Sequence, residues 1–153
     1  EREAVIKTAP CAIDRQAALL SLLTEPQQDD RLKEIAIQVK ADPSAPLVRA
    51  VVAKLGELKN VTLAQFFRDL QGHRNEHVRA AAIIAYSNLP AEAGQDWNQI
   101  ASQVNRSAQS SVTVAALQAL TTHQRIGVLH GHHHAGDAGL NQGVTTWSRT
   151  PLV

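Results

Sequence analysis

Apolar residues recur along the chain at helical spacing. In Ala12–Leu23 (AIDRQAALLSLL), Pro46–Leu58 (PLVRAVVAKLGEL), Glu76–Leu89 (EHVRAAAIIAYSNL) and Ser110–Leu120 (SSVTVAALQAL) they fall at i, i+3, i+4 and i+7. That spacing lays them in one stripe along a helix. With Arg15, Val48, Arg79 and Thr113 aligned as a common frame, Ala18, Val51, Ala82 and Ala116 stand three residues later. Leu22, Leu55, Tyr86 and Leu120 stand seven residues later. The anchors are 33, 31 and 34 residues apart, the mark of a structural repeat.

A second, more amphipathic set lies between these segments. Asp29–Lys40 opens with acids and closes with a base, as the helix dipole favours. Thr62–Leu70 carries Thr62 as the expected N-cap and turns Phe66, Phe67 and Leu70 to a core. Asp96–Val104 places Trp97, Ile100 and Val104 on one side, and Arg2–Thr8 matches as a truncated first helix. Asp42-Pro43 with Pro46, then Gly72, then Pro90 with Gly94 supply stop signals between them. Four helical hairpins in series are predicted.

The second repeat reads ADPSAPLVRAVVAKLGEL and the third HRNEHVRAAAIIAYSNL. An Asp-Pro turn, a Val-Arg pair, a stepped alanine and a closing Leu-Gly resemble the HEAT repeat family, over about residues 1–122. The resemblance implies an all-α, right-handed α-solenoid of about four hairpins. It also implies that the arginines sharing one slot, Arg15 and Arg79, bond neighbouring turns. Two departures stand out. One extra residue precedes Val48-Arg49, so Arg49 falls one step late, and Val112-Thr113 leaves the arginine slot of the fourth repeat empty.

Composition fits this picture. Aromatics make up 3% of the chain, so Ala, Leu, Val and Ile must do the packing, which favours close helix stacking over a β-sandwich. A net charge of +1 excludes a broad electrostatic footprint for nucleic acid, and the basic residues around Arg49, Lys54, Arg74 and Arg79 alternate with Glu57, Asp69 and Glu76. No apolar run approaches the roughly 20 residues of a membrane span. The single Cys11 excludes an internal disulfide and suits cytoplasm and periplasm equally. A start at Glu1 and the lack of methionine point to an excised domain, a processed chain or a fragment.

From His123 the text changes, and 123–153 is read as a separate Gly/His-rich segment. Five of the seven histidines fall there, and Gly127, Gly131, Gly136, Gly139 and Gly143 predict that no long helix forms. Arg125–His130 and Gly143–Ser148 are expected as irregular or short β segments around a glycine-rich loop. Gly131-His132-His133-His134 between them resembles the closing Gly-His-X-His motif of calcineurin-like metallophosphoesterases. By that resemblance His132 and His134, with His130 nearby, would ligate a divalent metal such as zinc or manganese. The other motifs of that family, an upstream Asp-X-His, Gly-Asp and Gly-Asn-His/Asp, are missing.

Two functions follow from different classes. The first is a non-catalytic scaffold that needs no cofactor and binds a protein partner or a neighbouring domain of its parent chain. Its contacts would come from Gln16, Lys54, His77, Asn88 and Gln118, with an outward Ile83 or Ile84 as the apolar anchor. The alternative is a fragment of a metal-dependent phosphoesterase that contributes its histidine loop to a larger site.

Overall fold

A computed structural model of the chain describes residues 11–106 and 110–131, and within them the periodic segments are helices. In chain order these are α1 (Ala12–Leu22), α2 (Asp29–Ala41), α3 (Ala45–Glu57), α4 (Ala64–Leu70), α5 (Glu76–Ser87), α6 (Trp97–Arg106) and α7 (Ser110–Gly131). Two 3₁₀ turns, Val61–Leu63 and Ala91–Ala93, precede α4 and α6.

Local chemistry sets the helix starts. The Ser44 side chain accepts from the Leu47 N–H at 3.5 Å, and Pro46 occupies the first turn of α3, where its missing N–H costs nothing. Asn75 accepts from the amides of His77 and Val78 at the head of α5. The cap expected at Thr62 belongs to Asn60 instead. Thr62 donates both its N–H (2.9 Å) and its hydroxyl (2.7 Å) to the Asn60 side chain, which tightens the chain into the first 3₁₀ turn before α4 begins. Gly94 closes the turn after α5 with φ +60°, a left-handed conformation that costs glycine little.

Every second helix packs on the next. α1 lies against α3, α3 against α5 and α5 against α7, while α4 and α6 pack against α5 and α7 from the side. The stripe positions of the sequence frame fill the core: Val51, Leu55, Ala82, Tyr86 and Ala116 are fully buried. One step along the frame, Leu19, Val52 and Ile83 are buried as well. Small residues allow the closest approach where α3 meets α5. A Cβ on Gly56 would stand 2.7 Å from the Ala85 Cβ and 2.9 Å from its Cα.

The fold class is therefore corrected. The described residues form an all-α bundle of seven α-helices with no strand, and not a four-hairpin α-solenoid that ends in an irregular or β segment. The overturning element is α7, which runs unbroken through the expected boundary at 122/123 and takes Arg125–His130 into its last turns. Glycine at 127 costs about 1 kcal/mol against alanine, too little to stop a helix already nucleated and extending by one hydrogen bond per residue. The helix Arg2–Thr8 and the segment Gly143–Ser148 lie outside the described residues. Among the described residues no helix is long and apolar enough to cross a membrane.

Candidate functional site

The arginine slot has two outcomes. Arg15 on α1 grips Asp42 in the α2–α3 turn through Nε at 2.8 Å and a second guanidinium nitrogen at 3.1 Å. Asp42 also accepts from the Ser44 N–H at 2.8 Å, so one carboxylate ties α1 to the turn that launches α3. Burial pushes the Asp42 carboxyl up, but the Arg15 guanidinium and the Ser44 amide outweigh it and hold the group below its ordinary range. Arg79 stays within its own hairpin, donating to the carbonyls of His73 (2.6 Å) and Arg74 (3.1 Å). The bond between neighbouring turns implied by the resemblance is thus seen at Arg15, whereas Arg79 clamps the turn before α5.

Arg49 follows neither course. A one-residue offset from the buried stripe of its own helix rotates a side chain by about 100°. Arg49 is accordingly exposed and forms no ion pair among the described residues. It stands at one end of a groove of about 580 Å³ between α3 and α5. Alanines, Ala50, Ala53 and Ala81 among them, make the floor, and Glu57 and Asn88 stand at the far end. Glu57 contacts Lys54 at 2.7 Å in an exposed pair.

The groove gathers three of the expected partner contacts, His77, Ile84 and Asn88, all exposed. His77 lies 3.6 Å from Glu76. Lys54 is half-buried beside the groove, Gln16 is half-buried on α1 and Gln118 is exposed on α7. Ile83 is a correction: it is fully buried, and only Ile84 faces out. Adjacent residues on a helix point 100° apart, so one of two isoleucines enters the core. The repeat frame carries the signal that selects it, because Ile83 occupies the position of buried Leu19 and Val52.

That same frame position in the last repeat is Leu117, and there the pattern breaks. Leu117 is 49% exposed, and Val114, one turn earlier, is 59% exposed. Leu19, Val52 and Ile83 sit on helices followed by another member of the row. No described helix follows α7. Neither residue was among the expected contacts, although the frame would have pointed to Leu117.

A buried polar knot holds α4, α5 and the start of α6 together. The Tyr86 hydroxyl accepts from Arg68 at 2.9 Å and from the Asp96 N–H at 3.3 Å, while Gln95 donates to the Leu89 carbonyl at 2.6 Å. Nearby, Lys40 bonds Asp69 at 2.6 Å, and this contact with the Gln65 amide holds the Asp69 carboxyl below its ordinary range. Trp97 stacks on His123 with ring centroids 3.8 Å apart, joining α6 to α7.

Among the described residues no three His, Cys, Asp or Glu side chains are grouped to hold a metal ion. His130 falls in the last turn of α7, and His132 and His134 lie outside the described residues. Comparison with family models, with curated proteins and with solved structures returns no match.

Proposed function

We propose that this chain is a non-catalytic protein–protein interaction module with HEAT-like repeats, and that the outer side of α7 receives a partner or a neighbouring domain of the parent protein. One observation carries this reading. Leu117 occupies the frame position at which Leu19, Val52 and Ile83 are buried, yet it is half exposed, with Val114 one turn earlier also exposed. Helical repeats bury their stripes only by stacking, so an apolar member with no described helix beyond it needs a polar cap or a partner. Val114 and Leu117 are not polar, and contiguous apolar surface of this kind marks protein contacts.

The test is a photoreactive phenylalanine analogue introduced at Leu117 in the intact parent protein, with a second probe at Glu34 on α2 as control. A discrete cross-linked adduct from position 117, absent from position 34, is the expected outcome. Equal labelling at both sites, or none at either, would overturn the assignment.

A further inference from the structure

We propose that the groove between α3 and α5 is a self-association site, filled by α3 of a second copy of this chain running antiparallel to the first. This goes beyond the function proposed above, because it uses a different face and a different partner.

The argument starts from the backbone. The groove is lined by residues of α3 and α5, whose backbone is helical, so an extended segment would find no strand edge to join. A helix satisfies its own backbone and offers only side chains, which suits this floor. The floor is built of alanine, and small side chains let helix axes approach to the short end of the usual 8–10 Å.

Charge then selects the helix. Arg49, Ala53 and Glu57 follow one another at i, i+4 and i+8 along a single ridge of α3. Arg49 and Glu57 are eight residues apart, which is about 12 Å of helix rise. The ridge is therefore its own complement under a twofold rotation near Ala53. Arg49 of each copy meets Glu57 of the other, and the small residue at the centre leaves room for the crossing. Such an isologous contact closes on itself. The dipoles agree, since α3 and α5 run side by side and their C-terminal halves touch at Gly56 and Ala85. An antiparallel third helix lays its C-terminus beside their N-termini. Glu57 gives up little to join, because its contact with Lys54 is an exposed i,i+3 pair that solvent screens.

Sedimentation equilibrium across a concentration series tests the proposal. The wild-type chain is expected to show a reversible dimer. Arg49→Glu sets two like-charged pairs across the axis, and Glu57→Lys does the same with the opposite sign. Each substitution alone is expected to weaken association by about tenfold or more. An equimolar mixture of the two variants restores both pairs in a heterodimer, and so does the double substitution in one chain. Both are expected to recover association to within about threefold of wild type. Their recovery also shows that neither single variant is misfolded. A wild type that stays monomeric, singles that dimerise normally, or a mixture no tighter than its components would overturn the proposal. A monomer that cross-links from Ala53 to a different protein would assign the groove to a partner's helix instead. None of these outcomes touches the adduct expected from Leu117, so the two readings can fail separately.

Discussion

At the scale of single residues, Asp42 ties one helix to the start of another. It is the acceptor for a guanidinium on one helix and for the amide that opens another, with side-chain exposures of 15% for Arg15 and 11% for Asp42. Because its folded-state carboxyl titrates below the ordinary value, the stabilisation is fully present above about pH 4 and drains away as pH falls through the depressed value. Asp69 follows the same sign, its carboxyl held down by Lys40 and Gln65. Asp42→Asn is therefore expected to lower the melting temperature by a few degrees at pH 7 and by less near pH 2. Thermal unfolding followed by circular dichroism at the two pH values checks this. An equal loss at both would mean that the amide fails for steric reasons and not through its missing charge. The Arg15 bridge was foreshadowed by the repeat. The identity of its acceptor was not, because nothing in a linear pattern says which turn a side chain will reach.

At the scale of elements, the contact of α3 with α5 turns on Gly56. Alanine at this position raises helix propensity by about 1 kcal/mol. The added methyl would overlap both the side chain and the backbone of Ala85, and overpacking of this kind costs about 1–3 kcal/mol. Gly56→Ala is expected to lower stability by about 1 kcal/mol net, read from the midpoint of urea unfolding. A rise in stability would show that α3 and α5 have freedom to separate. The helices themselves were legible, since period and caps placed α1, α2, α3 and α5 to within two residues. Less legible was where a helix ends without a strong stop. Gly127 was weighed as a breaker, but glycine inside a propagating helix is only a modest penalty, and α7 passes through it. The choice between Ile83 and Ile84 was readable from the frame and missed by treating the pair as equivalent.

At the scale of the whole molecule, a single buried cluster runs from Leu19 on α1 to Ala119 on α7. No helix owns a core of its own, so unfolding is expected to be one cooperative transition. Replacing Trp147 with phenylalanine leaves Trp97, stacked on His123, as the one tryptophan reporter. Its fluorescence and the far-ultraviolet circular dichroism are expected to share one denaturation midpoint. Separate midpoints would mean that the α6–α7 end melts independently. Architecture at this scale was only partly readable. Alternation of helices and the row they form were implied by the 31–34-residue spacing. The run of α7 through residue 122 to Gly131 and the half-exposed Leu117 depend on what lies beside that helix, which no periodicity encodes.

The extra residue ahead of Val48-Arg49 has a consequence for how such a chain acquires new surfaces. An arginine kept in register is held inward, by Asp42 at one position and by turn carbonyls at another. Shifted by one residue, the same amino acid stands in solvent. What differs is its spacing from the buried stripe, two residues ahead of Val51 where Arg15 and Arg79 stand three ahead of Ala18 and Ala82. A one-residue change of spacing inside a helix is thus a source of variation distinct from substitution. It moves an existing side chain between seam and exterior by about 100° per residue.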